Sequence, residues 1–132
     1  MKMLTYVNFP GKCAEAFRFY EKQLGGKIGM MMTHGQAPDQ SNVKPEWKDA
    51  VLHARISIGD TELMGADIPD AQPMRSAYLS LSVDSDAEAE RIFSALSGPQ
   101  SWARKSPGEE TPRSSNLRAI RIIPILSYAY MR

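Results

Sequence analysis

The feature that most constrains this chain is a segment that occurs twice. Ala14-Glu15-Ala16-Phe17-Arg18-Phe19-Tyr20 aligns without a gap with Ala87-Glu88-Ala89-Glu90-Arg91-Ile92-Phe93, 73 positions later, and Gly25 falls opposite Gly98. Each copy follows a strand-like run. Two copies are too few for a solenoid, whose repeats bury their faces by stacking on several neighbours. They fit a pair of related strand-helix-sheet modules within 132 residues, a length suited to one domain, or to two small modules sharing a core.

The first module spans residues 3–67. Thr5 to Phe9 alternates, with Thr5, Val7 and Phe9 on one side and Tyr6 and Asn8 on the other, as a half-buried strand does. Val7 and Phe9 are expected under the helix that follows, which leaves Tyr6 and Asn8 on the far face. After Pro10-Gly11, apolar residues at 13, 17, 20 and 24 step by 4, 3 and 4, which makes one helical stripe. Gly25-Gly26 supplies the left-handed residue that ends helices. Lys27 to His34 reads as a second strand, with Ile28, Met30, Met32 and His34 on one face. The run Met30 to Met32 is either a soft, adaptable ligand surface or a strand with both faces covered, its thioethers filling irregular gaps.

Gly35 to Asp49 reads as a loop, and Trp47 within it either covers a pocket or anchors the loop to the body. Val51 to Ile58 alternates cleanly. His53, Arg55 and Ser57 face one way; Leu52, Ala54, Ile56 and Ile58 face the other. Gly59-Asp60 is a two-residue hairpin turn leading into a fourth strand, Thr61 to Ala66. Asp67, at a strand end before Pro69, reads as a turn residue rather than a base.

The second module spans residues 77–132. Ala77 to Val83 repeats the split of the first strand, with Leu79, Leu81 and Val83 opposite Tyr78, Ser80 and Ser82. Ser85 followed by Glu88 is a capping-box pattern for a second helix, with Ala89, Ile92, Phe93 and Leu96 as its apolar stripe. A full second copy would outrun the chain. Gly98 to Ser115 is polar and carries three prolines, and only Leu117 to Met131 is apolar enough for a strand or two. The fold class expected is α+β: paired βαβββ modules in a single domain, the second incomplete or irregular.

Charge excludes some functions and marks a boundary. A net charge of +1 argues against a protein that grips phosphate backbones, so no nucleic-acid partner is expected. No apolar run approaches the roughly 20 residues needed to cross a bilayer, so no membrane partner is expected and the expected location is cytoplasmic. A lone cysteine, Cys13, excludes an internal disulfide; on the apolar stripe it reads as buried and inert. Residues 1–96 hold ten Lys/Arg against thirteen Asp/Glu, a net of −3, whereas residues 97–132 hold six against two, a net of +4.

At Asn8-Phe9-x-Gly-x-Cys-Ala-Glu-Ala-Phe-x-Phe-Tyr20, His53-Ala-Arg-x-Ser-Ile-Gly-Asp60, Leu63-Met-Gly-Ala-Asp67 and Val83-Asp-x-x-Ala-Glu-Ala-Glu-Arg-Ile-Phe93, the chain resembles the vicinal-oxygen-chelate superfamily. That superfamily holds glyoxalase I, extradiol dioxygenases and the bleomycin- and fosfomycin-resistance proteins. The branch it resembles is the PhnB-like proteins, often labelled demethylubiquinone methyltransferase-like, although no glycine-rich loop of the kind a methyl donor needs is present. The resemblance covers residues 3–96. After Ser97 the branch's Phe-Trp, Phe-Gly and Asp-x-Phe-Gly-x-x-Trp-Met wording is missing, which coincides with the charge shift. Either the tail diverged or it is read in a shifted frame.

The resemblance implies a glyoxalase/bleomycin-resistance-like fold whose modules form a cup, and chemistry by a divalent metal held by His, Glu or Gln on the first and last strands of each module. Carried over by position, Leu4 to Tyr6 offers no convincing ligand, Glu62 is the one metal-ligand candidate, and Tyr78 stands where histidine is usual. One ligand in four does not hold a metal, so a divalent metal is poorly supported and no cofactor is certain. His53 and Arg55 share a face, either as a basic pair meeting an anionic ligand or as an ordinary solvent-facing pair. The ligand-binding candidates are Tyr6, Asn8, His53, Arg55, Met64 and Tyr78. The expected function is small-molecule binding, like bleomycin resistance. The alternative is a metal-dependent lyase or dioxygenase acting on a small oxygenated substrate. Exposed sheet edges favour a homodimer.

Overall fold

The computed structural model describes residue 1, residues 3–72 and 79–96, and the backbone of residues 118–122. The chain divides into two compact units, Met1–Gln72 and Pro73–Arg132.

The first unit runs β1 (Thr5–Phe9), α1 (Cys13–Leu24), β2 (Lys27–Thr33), β3 (Val51–Ile58) and β4 (Thr61–Asp67). Its four strands form one sheet in the order β1-β4-β3-β2. β2, β3 and β4 make an antiparallel meander, while β1 lies parallel to β4, from Thr5 opposite Leu63 to Phe9 opposite Asp67. The strand-helix-strand-strand-strand order expected from the sequence is the one observed. A turn with Gly59 at φ 55 joins β3 to β4, a left-handed conformation that suits glycine in a tight hairpin. It sets Ile58 opposite Thr61 and, further along, Arg55 opposite Met64.

One face of this sheet carries α1. Cys13, Ala16, Phe17 and Tyr20 are buried, matching three of the four positions of the apolar stripe, with Leu24 half-buried. Opposite them lie the buried Val7, Phe9, Ala54, Ile56 and Leu63. Phe17 is fully buried, meets Phe9 edge-on at 6.1 Å and sits over Gly65, where an added Cβ would lie 2.9 Å from its ring. Burying a side chain of this size contributes about 1.5–3 kcal/mol. The helix ends on Gly25 at φ 66, and the Glu21 carboxylate then accepts the N–H of Ile28 at 2.9 Å, tying the helix to the start of β2.

Three readings of this unit need correction. β2 ends at Thr33, and His34 opens a short 3-10 turn, His34–Gln36, in place of the last strand position. Ile28 does not share a face with Met30 and Met32. The pairing slips between Ile28 and Met30 and again between Met32 and Thr33, so Ile28 lies opposite the buried Ile56, whereas Met30 lies opposite Arg55 and Met32 opposite His53. An extra residue in one strand breaks the two-residue alternation, and alternation alone cannot reveal it. Asp67 is the last residue of β4 rather than a turn residue, and it is 2% exposed.

In the second unit β5 (Leu79–Val83), α2 (Asp86–Leu96) and β6 (Arg118–Ile122) are described. Ser85 caps α2 as expected, its Oγ accepting the N–H of Glu88 at 3.2 Å. Ile92 and Leu96 of the expected stripe are buried; Ala89 and Phe93 are half-buried. β6 pairs antiparallel with β5, Leu79 opposite Ile122 and Val83 opposite Arg118. In the first unit the strand beside β1 runs parallel to it, so among the described residues the two units pair their first strands differently. The remainder of the basic tail and Tyr78 lie outside the described residues.

Candidate functional site

The sheet face opposite α1 gathers most of the chemistry in the first unit. On β4, Gly65 faces Phe17, so Glu62, Met64 and Ala66 point the other way. Pairing carries that face across the sheet: Tyr6 and Asn8 from β1, His53 and Arg55 from β3, and Met30 and Met32 from β2. Five of the six ligand-binding candidates, Tyr6, Asn8, His53, Arg55 and Met64, therefore lie on one face. The sixth, Tyr78, lies outside the described residues.

Two contacts organise this face. The Tyr6 hydroxyl and His53 Nδ1 are 3.0 Å apart, and the two rings stack with centroids 5.7 Å apart. The pair spans β4, since Tyr6 is on β1 and His53 on β3. Ala66, buried on β4 beside Asn8, has no bulk to block that reach. Burial pushes the Tyr6 hydroxyl above its ordinary titration range, so it stays protonated at neutral pH. As a neutral O–H it can donate to Nδ1, which then leaves the imidazole proton on Nε2.

The second contact is Arg55 Nη2 to Glu62 Oε1, at 2.6 Å. The Gly59-Asp60 hairpin sets Ser57 opposite Glu62, so Arg55 and Glu62 are diagonal neighbours on one face. With the Arg55 side chain 43% exposed, the pair contributes modestly, about 0.2–1 kcal/mol. Arg55 Nε is buried and has no hydrogen-bond partner among the described residues.

The same contact bears on the proposed metal ligand. Glu62 is ion-paired with Arg55, and His53 is engaged through Nδ1. Among the described residues no three of His, Cys, Asp and Glu come together.

Other singled-out residues serve the frame. Trp47 lies edge-on to His34 at 6.2 Å, and Gly35 donates its N–H to Lys48 O at 2.8 Å, so Trp47 ties its loop to the end of β2. Cys13 is buried, and its thiol is pushed up to about 12 by burial first and the Asp67 charge second. A thiol so protonated is a poor nucleophile, in line with the inert reading.

Sequence reasoning missed two features. The Arg55–Glu62 pair was legible in the two-residue turn, which fixes the register of both strands. The buried Asp67 carboxylate accepts N–H groups from Cys13 at 2.9 Å and Val51 at 2.8 Å, partners too distant in sequence to leave a local signal.

No protein-family model matches the chain. Protein YjdN of Escherichia coli (strain K12) is 26% identical over 107 residues, spanning 73% of this chain and 72% of that protein. The crystal structure of protein PA1353 from Pseudomonas aeruginosa superposes with a TM-score of 0.65 and 38% identity, covering 74% of this chain and 72% of that one. A PhnB protein from Bacillus cereus superposes with a TM-score of 0.56 at 20% identity, over 74% of each chain, and so shares the fold. No helix among the described residues is long and apolar enough to cross a membrane. At 38% identity over most of both lengths, the chain belongs to the family of Pseudomonas aeruginosa protein PA1353, with the fold also seen in a PhnB protein.

Proposed function

We propose that this protein is a PhnB-like member of the glyoxalase/bleomycin-resistance (vicinal-oxygen-chelate) superfamily that binds a small molecule on the sheet face opposite α1. The observation that carries the reading is the convergence of Tyr6, Asn8, His53, Arg55 and Met64 on that face, from three strands. Such a face offers polar groups of defined direction, the Tyr6–His53 pair and the Arg55 guanidinium, among thioethers that adapt to a ligand's shape. Binding without a resident metal suits this donor set. The protein works in the cytoplasm as a homodimer, and β1 and β2, the outer strands of the four-stranded sheet, are the edges a second copy would cover.

The test is elemental analysis of the purified protein after metal loading, together with its mass in solution and a thermal-shift screen of aromatic and anionic compounds. Compounds that raise the melting temperature of a metal-free dimer, and lose that effect in Tyr6→Ala and Arg55→Ala, are the expected result. Stoichiometric zinc, nickel, iron or manganese would overturn the metal-free reading in favour of a lyase or dioxygenase. Stabilisation that survives both substitutions would place the ligand elsewhere.

A further inference from the structure

We propose that the ligand of this face is an apolar or aromatic monocarboxylate whose carboxylate is taken by Arg55. The proposal rests on the reading that the face binds a small molecule, and deepens it to a chemical class.

The first ground is the state of Arg55. Glu62 engages Nη2, while Nε is buried without a hydrogen-bond partner among the described residues. A buried donor left unmatched carries an uncompensated loss of hydration, which an arriving oxyanion can relieve. The side chain as a whole is 43% exposed, so part of it is open to solvent. Arginine presents its donors in a planar fork that matches a carboxylate.

The second ground is what surrounds that charge. Arg55 lies between Met64 of β4 and Met30 of β2 in register; Met32 stands beside His53, and Tyr6 beside Met64. A cation with thioethers at the paired positions on both sides, and a third thioether and a phenol one position further off, suits a molecule with one anionic end and an apolar body. Sulfur also makes favourable contacts with aromatic rings.

The third ground is charge balance. Among the described residues, the fixed charges that strand pairing places on this face are Arg55, Lys27 (opposite Ser57) and Glu62, two cations against one carboxylate. One carboxylate neutralises the difference. A dianion would set its second charge against Glu62, which already occupies one edge of the guanidinium.

The experiment is NMR titration of the full chain with benzoate, benzamide, phenyl phosphate and acetate. Benzoate is expected to shift the resonances of Tyr6, His53 and Met64 and to bind about tenfold tighter than the isosteric neutral benzamide. Acetate, lacking an apolar body, is expected to be weaker than benzoate. Arg55→Gln should erase the preference for benzoate over benzamide, and Glu62→Gln should tighten benzoate and admit phenyl phosphate.

Benzamide binding the same residues as tightly as benzoate would overturn the carboxylate and leave the binding face standing. Phenyl phosphate outcompeting benzoate on the unaltered protein would overturn the monoanion. An unchanged benzoate preference in a folded Arg55→Gln variant would remove Arg55 from the assignment. If none of the four probes moves these resonances, the binding face itself fails together with its ligand.

Discussion

The Asp67 carboxylate accepts the backbone N–H of Cys13 at 2.9 Å, so the first turn of α1 is capped by a residue 54 positions further on. Its other oxygen accepts the N–H of Val51 at 2.8 Å, where β3 begins. Lys12, at the N-cap position, makes no side-chain cap, which leaves this long-range carboxylate to serve the helix start.

Asp67→Asn tests this arrangement. An amide keeps the shape but turns one acceptor into an N–H donor facing a backbone donor. The variant should be destabilised by about 1–3 kcal/mol in urea unfolding, the cost of a buried donor left unsatisfied. A change within error would mean that the buried carboxylate does not hold the helix start.

Gly65 gives a steric test. A Cβ there would meet the Phe17 ring at 2.9 Å and Val7 O at 3.0 Å, and neither a buried ring nor a backbone carbonyl yields readily. Gly65→Ala should therefore cost about 1–3 kcal/mol by overpacking. Gly29→Ala, where nothing lies within 4 Å, is the control and should stay close to the parent.

Alkaline pH should loosen the fold. Folding raises the Cys13 thiol from 9.0 to about 12 and the Tyr20 hydroxyl from 10.0 to about 12, burial being the largest cause in both. Both native pKa values lie above the unfolded ones, so the unfolded chain sheds protons first as pH rises. Stability contributed by these groups is complete below about pH 9 and is lost progressively between about pH 9 and 12. The urea midpoint measured across that range should fall. In the same conditions iodoacetamide should label Cys13 only when the chain unfolds.

Tyr6→Phe keeps the ring stack and deletes the hydroxyl facing His53 Nδ1. Because Tyr6 is 45% exposed, the loss of stability should be at most about 1 kcal/mol. The imidazole nitrogen resonances of His53 should nevertheless move, since the group fixing one tautomer is gone. An unchanged tautomer pattern would show that the contact does not orient the ring.

What the sequence made legible follows from the range of each signal. Thr5–Phe9, Cys13–Leu24 and Val51–Ile58 carry clean periods of two or 3.6 residues, and their observed bounds are those expected. Tyr6 and Asn8 could be placed on one side of β1, and His53 with Arg55 on one side of β3, because those periods fix which way each strand looks; that Met64 joins them on one face came from the strand pairing. Ile28 was misplaced because one-residue slips in the β2–β3 pairing reset the alternation, and the repeated methionines give no hint of where. Asp67 was misread because its partners, Cys13 and Val51, come near it only once the sheet has formed.

The parallel pairing of β1 with β4 also sets an order in time. β1 meets its neighbour only when the chain has run from position 5 to position 63, whereas β3 and β4 are joined by a two-residue turn. Contacts that close long loops form late, after local hairpins have repaid their own entropy. Val7 and Phe9 precede every other strand of their sheet, and α1 is the first apolar element that follows them in the chain. Chain order alone therefore brings α1 alongside β1 before β4, the strand β1 finally pairs with, has been made.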